Sequence, residues 1–133
     1  MSKSEEVLSG YRVLDFGRYI AGPFCGALLA DFGAEVIRVE RVKGSEDRFT
    51  TPVTGEAEGS MFLQMNRNKL GFTLNPKKPE GKEIISRLTV TADVVIANLP
   101  EKTLVAMGLD FASLSKINPK IILTSNTAFG TSG

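Results

Sequence analysis

Hydrophobic and polar positions change their period several times along the chain, and each change marks a new element. YRVLDF (11–16) is a short apolar run of strand length. From Ala21 to Phe32 the spacing becomes helical. Phe24, Ala27, Leu28 and Asp31 fall at i, i+3, i+4 and i+7, with Leu29 and Phe32 beside them, most of them apolar. Pro23 suits the first turn of that helix, where its missing N–H costs nothing, and Gly33 predicts its end. AEVIRVE (34–40) sets Val36, Ile37 and Val39 among polar residues and predicts a second strand after a very short loop.

Residues 43–60, KGSEDRFTTPVTGEAEGS, are polar and rich in Gly, Thr and Glu. The stretch is long for a loop in a small domain, so a functional, mobile or partner-facing role is expected. GFTLN (71–75) predicts a third strand. PKKPEGKEIISRLTVTA (76–92) predicts a helix with Ile84, Ile85 and Leu88 on one face. DVVIANL (93–99) predicts a buried strand. EKTLVAMG (101–108) and DFASLSKIN (110–118) predict two short helices, stopped at Gly108 and at Asn118-Pro119, and KIILTSN (120–126) a last strand. The order β-α-β-loop-β-α-β-α-α-β predicts an α/β fold with a mostly parallel sheet and helices on both faces. The final AFGTSG reads as a βα crossover with no helix after it. The expectation is a cut-down piece of a longer chain or the product of a degenerate gene.

Bulk properties then exclude several classes. The 133 residues are 42% hydrophobic and 23% charged, close to an average globular domain. Lys and Arg number 16 against 15 Asp and Glu, a net charge of +1 that gives no reason to expect a nucleic-acid or membrane partner. No apolar run approaches the roughly 18 residues of a membrane span, and the polar start MSKSEEVLSG is not a secretory signal. One cysteine, Cys25, fits a reducing cytoplasm. Without histidine, neither a zinc site nor a His-based triad is expected, so the predicted metal set is empty.

The remaining question is what the turn within DFGRYIAGPFCGALLADFGAEVIRVE (15–40) holds. The segment is a strand, a helix start and a second strand, yet it lacks G-x-G-x-x-G and the P-loop pattern. LSGYRVLDFGRYIAGPFCGALLADFGAEVIRVE closely resembles the opening of the class III CoA-transferases, the CaiB/BaiF family. That family includes formyl-CoA transferase, the carnitine CoA-transferases and alpha-methylacyl-CoA racemase. The similarity continues through FLQMNRNKLGFTLNPKKPEGKEIISRL, TADVVIANLP and MGLDFASLSKINPKIILTSNTAFGTSG, nearly the whole chain from Leu8. The single pieces are weak; the ordered set with its spacings is strong.

The resemblance implies a Rossmann-like three-layer large domain split in sequence, a smaller second domain and an interlocked homodimer. The family's chains are about three times longer than this one, which has the length of one domain. The chain is therefore expected to be the N-terminal CoA-binding portion, 1–133, with the catalytic aspartate, which forms an acyl anhydride and then a CoA thioester, lying beyond Gly133. No catalytic residue is expected within it. The implied substrates are coenzyme A or acyl-CoA and a carboxylic acid, with no tightly bound cofactor. The family's CoA contacts fall on Ile20 and Ala21, on Arg41, on Leu74, Asn75, Pro76 and Lys77, and on Asn98, Leu99 and Pro100. All four groups follow predicted strand ends, as one crevice requires. A helix N-terminus offers N–H groups to a phosphate, Gly22 lets backbone approach, and Arg41 and Lys77 can pair with phosphates.

Bland readings stand beside these. Taken singly, Gly22-Pro23 merely starts a helix, and Arg41 and Lys77 are solvated charges. Arg18 and Tyr19 are turn residues or ligand contacts. Lys69 matches a family position with no role assigned beyond charge. Asp15 braces the turn; Cys25 is a packing residue. Three departures matter: ANLPEK replaces an acidic residue and an aromatic before Pro-Gly, Ala106 stands where a basic residue is frequent, and Ile20 stands where formyl-CoA transferases carry glutamine. The last argues against oxalate or formate specificity. The alternatives are a racemase branch of the same family and a non-catalytic CoA- or nucleotide-binding fragment. A homo-oligomer is expected, because the strand carrying Ile121, Ile122 and Leu123 would otherwise leave an open edge.

Overall fold

The computed structural model describes residues 6–50, 52–56 and 58–130. The last three residues of the expected terminal crossover, 131–133, lie outside the described residues. The strands are β1 (Arg12–Asp15), β2 (Glu35–Glu40), β3 (Leu70–Thr73), β4 (Val94–Ala97) and β5 (Ile122–Ser125). All pair in parallel, in the order β3-β2-β1-β4-β5. The order is that of the first five strands of the doubly wound nucleotide-binding sheet, with its reversal point between β1 and β4. The α/β fold with a parallel sheet is therefore the one the periodicity predicts, and every described ladder is parallel.

Alternation along β1 sorts the side chains into two layers. Leu14 and Phe16 face a core closed by α3 (Pro79–Val90), α4 (Glu101–Met107) and α5 (Phe111–Ile117), through Ile85, Leu104 and Leu114. Val13 faces the opposite layer, where Ala30, Val36 and Ile96 pack beneath α1 (Ala21–Asp31). Each fully buried aliphatic side chain contributes on the order of 1.5–3 kcal/mol, so the central strands β1 and β4 anchor both layers. No described helix is long and apolar enough to cross a membrane.

α1 departs from the face its spacing suggests. The residues turned inward are small: Gly22, Pro23, Gly26, Ala27 and Ala30. Phe24, Leu28 and Phe32 stand outward, 42%, 41% and 56% exposed. The cause is distance. A Cβ on Gly22 would lie 2.7 Å from the Gly17 Cα, so only a small-residue face fits over the turn that leaves β1. Gly33, at φ +100°, ends the helix as expected.

The polar stretch 43–60 also differs from a free loop. Glu46–Phe49 form a 3₁₀ turn, Val53 and Gly59 make an antiparallel bridge, and α2 (Ser60–Met65) follows, an element absent from the sequence reading. Phe62 on α2 is buried, and the Arg48 guanidinium lies 3.8 Å from its ring centroid, a cation–π contact. At the other end of the sheet β5 is an edge strand. Ile122 is exposed there, whereas Ile121 is covered by the α5 layer.

Gly81, in the first turn of α3, sets the shape of the β3–α3 connection. A Cβ at Gly81 would lie 1.9 Å from the Asn75 carbonyl oxygen. Gly81→Ala is expected to push the Asn75–Pro76 backbone away and lower stability by about 1–3 kcal/mol, the scale of overpacking. The check is a urea denaturation midpoint; no change would show that the connection shifts freely.

Candidate functional site

The turn after β1 is built on buried charge. Asp15 ends β1, lies on the α1 side of the sheet and sits opposite Arg38 of β2 in the ladder. Asp15 and Asp47 are fully buried, and Arg38 is 1% exposed. The Gly17 N–H donates to Asp15 Oδ1 at 2.7 Å, and Lys69 Nζ donates to Asp15 Oδ2 at 2.7 Å. Arg38 Nη1 lies 3.8 Å from Asp15 Oδ1 and donates to the Gly17 carbonyl; Nη2 donates to Asp47 Oδ2 at 2.7 Å. Lys69 uses its other donors on the Pro23 carbonyl, 2.6 Å, and Asn66 Oδ1, 3.0 Å. Gly26 leaves the room: a Cβ there would lie 3.2 Å from Lys69 Nζ. Burial pushes the Lys69 pKa down, and Asp15 opposes the shift. Asp15 thus braces the turn as its position suggested, and Lys69 acquires a role that its sequence context did not reveal.

A second clamp crosses the reversal point. Asn98, just past β4, accepts the Arg18 N–H at 2.6 Å and donates to the Arg18 carbonyl at 2.7 Å. Tyr19 takes φ +58°, and Ile20 stands at the N-cap of α1 with no side-chain cap. First-turn N–H groups are therefore left for solvent or a ligand. Arg18 folds back to donate to the Phe16 and Gly17 carbonyls, 2.9 and 2.7 Å. Burial first, and then the neighbouring Arg38, lower the Arg18 pKa.

A crevice of about 690 Å³ opens at the carboxyl ends of β1 to β4, within the usual size of a small-molecule site. Of the ten residues expected to contact ligand, Arg41, Leu74, Asn75, Pro76, Lys77 and Leu99 line it. Asn98, Leu99 and Pro100 border a neighbouring hollow of about 370 Å³ beside Asn126–Gly130. Ile20 and Ala21 are exposed at the start of α1 and line neither cavity. Arg18, Val42, Lys43, Gly44, Thr103 and Met107 complete the large crevice. The sequence leaves Arg18 between a turn role and a ligand contact, and it gives Lys43, two positions from Arg41, no signal that sets it apart from other surface lysines. Thr103 and Met107 carry no chemical signal in sequence; they arrive because α4 packs over the mouth.

The charges are one-sided. Arg18, Arg41, Lys43 and Lys77 line the crevice and no acidic residue does. The acid that meets them stands behind: Glu46 Oε1 pairs with Arg41 Nη2, and Glu46 Oε2 lies 3.8 Å from Arg18 Nε. Burial pushes the Glu46 carboxyl up, but its own N–H, Arg41 and Arg18 together hold it below the usual range. Lys77 is shaped by an Asx turn, its N–H donating to Asn75 Oδ1 at 3.1 Å. Among the described residues no cluster of His, Cys, Asp and Glu could hold a metal ion.

The parallel order, the reversal point and the cationic crevice at the strand ends define an open α/β domain with a ligand site at the carboxyl edge of its sheet. Residues 8–133 match the family described as CoA-transferase family III, and the chain belongs to that family. It is 40% identical over 140 residues to the succinate–glutarate CoA-transferase of Agrobacterium fabrum, covering 100% of this chain and 35% of that one. It is likewise 40% identical over 126 residues to the formyl-CoA:oxalate CoA-transferase of Afipia carboxidovorans, covering 94% and 30%. The crystal structure of a CAIB/BAIF family protein from Brucella suis superposes with a TM-score of 0.91 at 38% identity, covering 98% of this chain and 35% of that one. The chain thus spans about a third of the length of these relatives.

Glu40, at the end of β2, pins the crevice loop. It accepts Arg48 Nε and Nη2 at 2.8 and 3.0 Å and the Ser45 N–H at 3.2 Å. Burial pushes its carboxyl up, but the Arg48 bond and charge and the Ser45 N–H outweigh this and hold its pKa below 4.5. A carboxylate with a depressed folded pKa adds stability above its unfolded pKa and loses it as pH falls through the folded value. Stability is therefore expected to fall below pH 4.5, and Glu40→Gln to flatten part of that fall. Urea unfolding at neutral and at acid pH tests it; equal pH dependence in both proteins would remove Glu40 from the account.

Proposed function

We propose that the chain is the coenzyme A-binding portion of a CoA-transferase, and that residues 1–133 serve it as an N-terminal unit. The observation that carries this is the crevice at the carboxyl ends of four strands, with four cations on its walls and no acid. Arg41, Lys43 and Lys77 would pair with phosphate oxygens, Arg41 in bidentate fashion. Leu74, Leu99 and Met107 supply apolar wall for the rest of the molecule. Both named curated relatives are CoA-transferases, which favours transfer over racemisation.

In transfer, a carboxylate attacks the acyl-CoA thioester and CoA thiolate leaves; that thiolate then attacks the enzyme carbonyl of the resulting anhydride, which forms an enzyme-bound CoA thioester and releases the donor acid as its carboxylate. The acceptor carboxylate attacks that thioester and displaces the thiolate, and the thiolate then attacks the acceptor acyl carbon of the new anhydride, which gives the product acyl-CoA and frees the enzyme carboxylate. Covalent catalysis divides one hard exchange into easier steps. Asp15 and Asp47 are poor candidates for the nucleophile: both are buried and committed to Lys69 and Arg38. We therefore assign this chain binding and positioning, with the aspartate supplied outside the described residues.

Arg41→Ala and Lys77→Ala are each expected to weaken CoA binding by about 1–3 kcal/mol, the scale of a charged hydrogen bond. Isothermal calorimetry decides it, and affinities equal to the parent's would exclude both side chains as ligands.

Self-association is part of the same proposal. Phe24, Leu28 and Phe32 form an exposed apolar stripe along α1, and Ile122 lies on the β5 edge. Such surface drives association. Light scattering after size exclusion is expected to give a dimer or larger at tens of micromolar; a clean monomer would overturn it.

A further inference from the structure

We propose that Glu46 is an internal anion that occupies the phosphate seat between Arg18 and Arg41 and is exchanged for a ligand phosphate. The inference rests on the coenzyme A reading and adds to it a specificity device. Glu46 reaches both guanidinium groups, Arg41 through Oε1 and Arg18 through Oε2 at 3.8 Å, and these are two of the four crevice cations. Oε2 is buried, yet it has no hydrogen-bond partner among the described residues. The carboxylate is therefore seated where an anion belongs but is incompletely satisfied there.

The surrounding turn is fixed while this side chain is not. Asp47 is bound to Arg38, Arg48 to Glu40, and the Ser45 N–H to Glu40. Glu46 is the one residue of this run whose bonds all point at the crevice rim, and its side chain is 40% exposed. Exchange requires Glu46 to turn its side chain outward. The pair with Arg41 is exposed on both sides and such pairs are weak, and the contact with Arg18 is long at 3.8 Å, so an incoming group can displace the carboxylate.

Charge decides which group succeeds. A carboxylate carries one negative charge and gains little by replacing another. A phosphate monoester carries about 1.5 to 2 negative charges at neutral pH and three acceptor oxygens, so it outcompetes Glu46. The distinction matters for a transferase, because its second substrate is a free carboxylic acid. With Glu46 in place, such acids are kept from the cations that should hold coenzyme A. Without it, they become competitors for the same seat.

The test uses this chain, coenzyme A and succinate in isothermal calorimetry. Glu46→Gln is expected to bind CoA about two- to fivefold tighter than the parent, the range an exposed ion pair allows. Succinate at tens of millimolar should weaken CoA binding to Glu46→Gln several-fold more than to the parent. Arg41→Ala should cost more affinity in the Glu46→Gln background than alone. Glu46→Ala takes the place of Glu46→Gln if the latter does not fold, as judged by its thermal melt. Equal CoA affinities with equal succinate competition would overturn the inference while leaving the coenzyme A reading intact. Absence of CoA binding by both parent and variant would overturn the reading itself, and the seat with it.

Discussion

The structure depends on the neutralisation of Asp15. That carboxylate lies fully buried at the end of the central strand, beneath α1. A buried unpaired charge costs several kcal/mol, and a buried pair is tolerated only when its hydrogen bonds are complete. Asp15 meets the condition through Gly17, Lys69 and Arg38, which come from three different segments. Arg38 then needs Asp47, and Lys69 needs Asn66 and the Pro23 carbonyl. One charge at a strand end thereby ties together the β1 turn, the start of α1, the 3₁₀ turn and the segment leading into β3.

That tie explains choices that look odd when the elements are taken singly. α1 turns its small residues inward because larger ones would displace Lys69 and the Gly17 turn. The aromatic residues left outside follow from the same constraint and are not a failure of packing. The polar stretch 43–60 is held by its own charges, with Asp47 buried on Arg38 and Arg48 clamped by Glu40. Its polarity serves the interior of a charged joint, where length and composition alone suggest a functional, mobile or partner-facing loop.

The limits of what the sequence shows follow this division. Strands β1 to β5 and helices α1, α3, α4 and α5 are legible because their hydrophobic runs and periods are bounded by stop signals such as Gly33, Gly108 and the Asn118-Pro119 break, with β3 displaced by one or two residues from the predicted 71–75. α2 is not, because six residues, SMFLQM, carry too short a pattern to separate from the polar loop before it. Within the crevice, Arg41, Leu74–Lys77 and Leu99 are reached by resemblance and strand-end placement. Lys69 and Arg38 escape, since the partner of each is remote in sequence: Asp15 lies 54 positions from Lys69, and Lys69 touches no charged neighbour along the chain. Asn98 was reached as a ligand contact, and its amide is occupied by the backbone of Arg18. Charge pairing of this kind has no local signature.

The same economy shapes the crevice. Four cations gather at one mouth, and three of them are held in different ways. Arg18 is fixed by backbone carbonyls, Lys77 stands on an Asx turn, and Arg41 leans on Glu46. The carboxylates deepest in the joint, Asp15 and Asp47, are spent on structure, so they hold geometry and are closed to covalent chemistry. Charged residues that are fully paired sit inside the joint, and the cations that line the crevice sit at its rim.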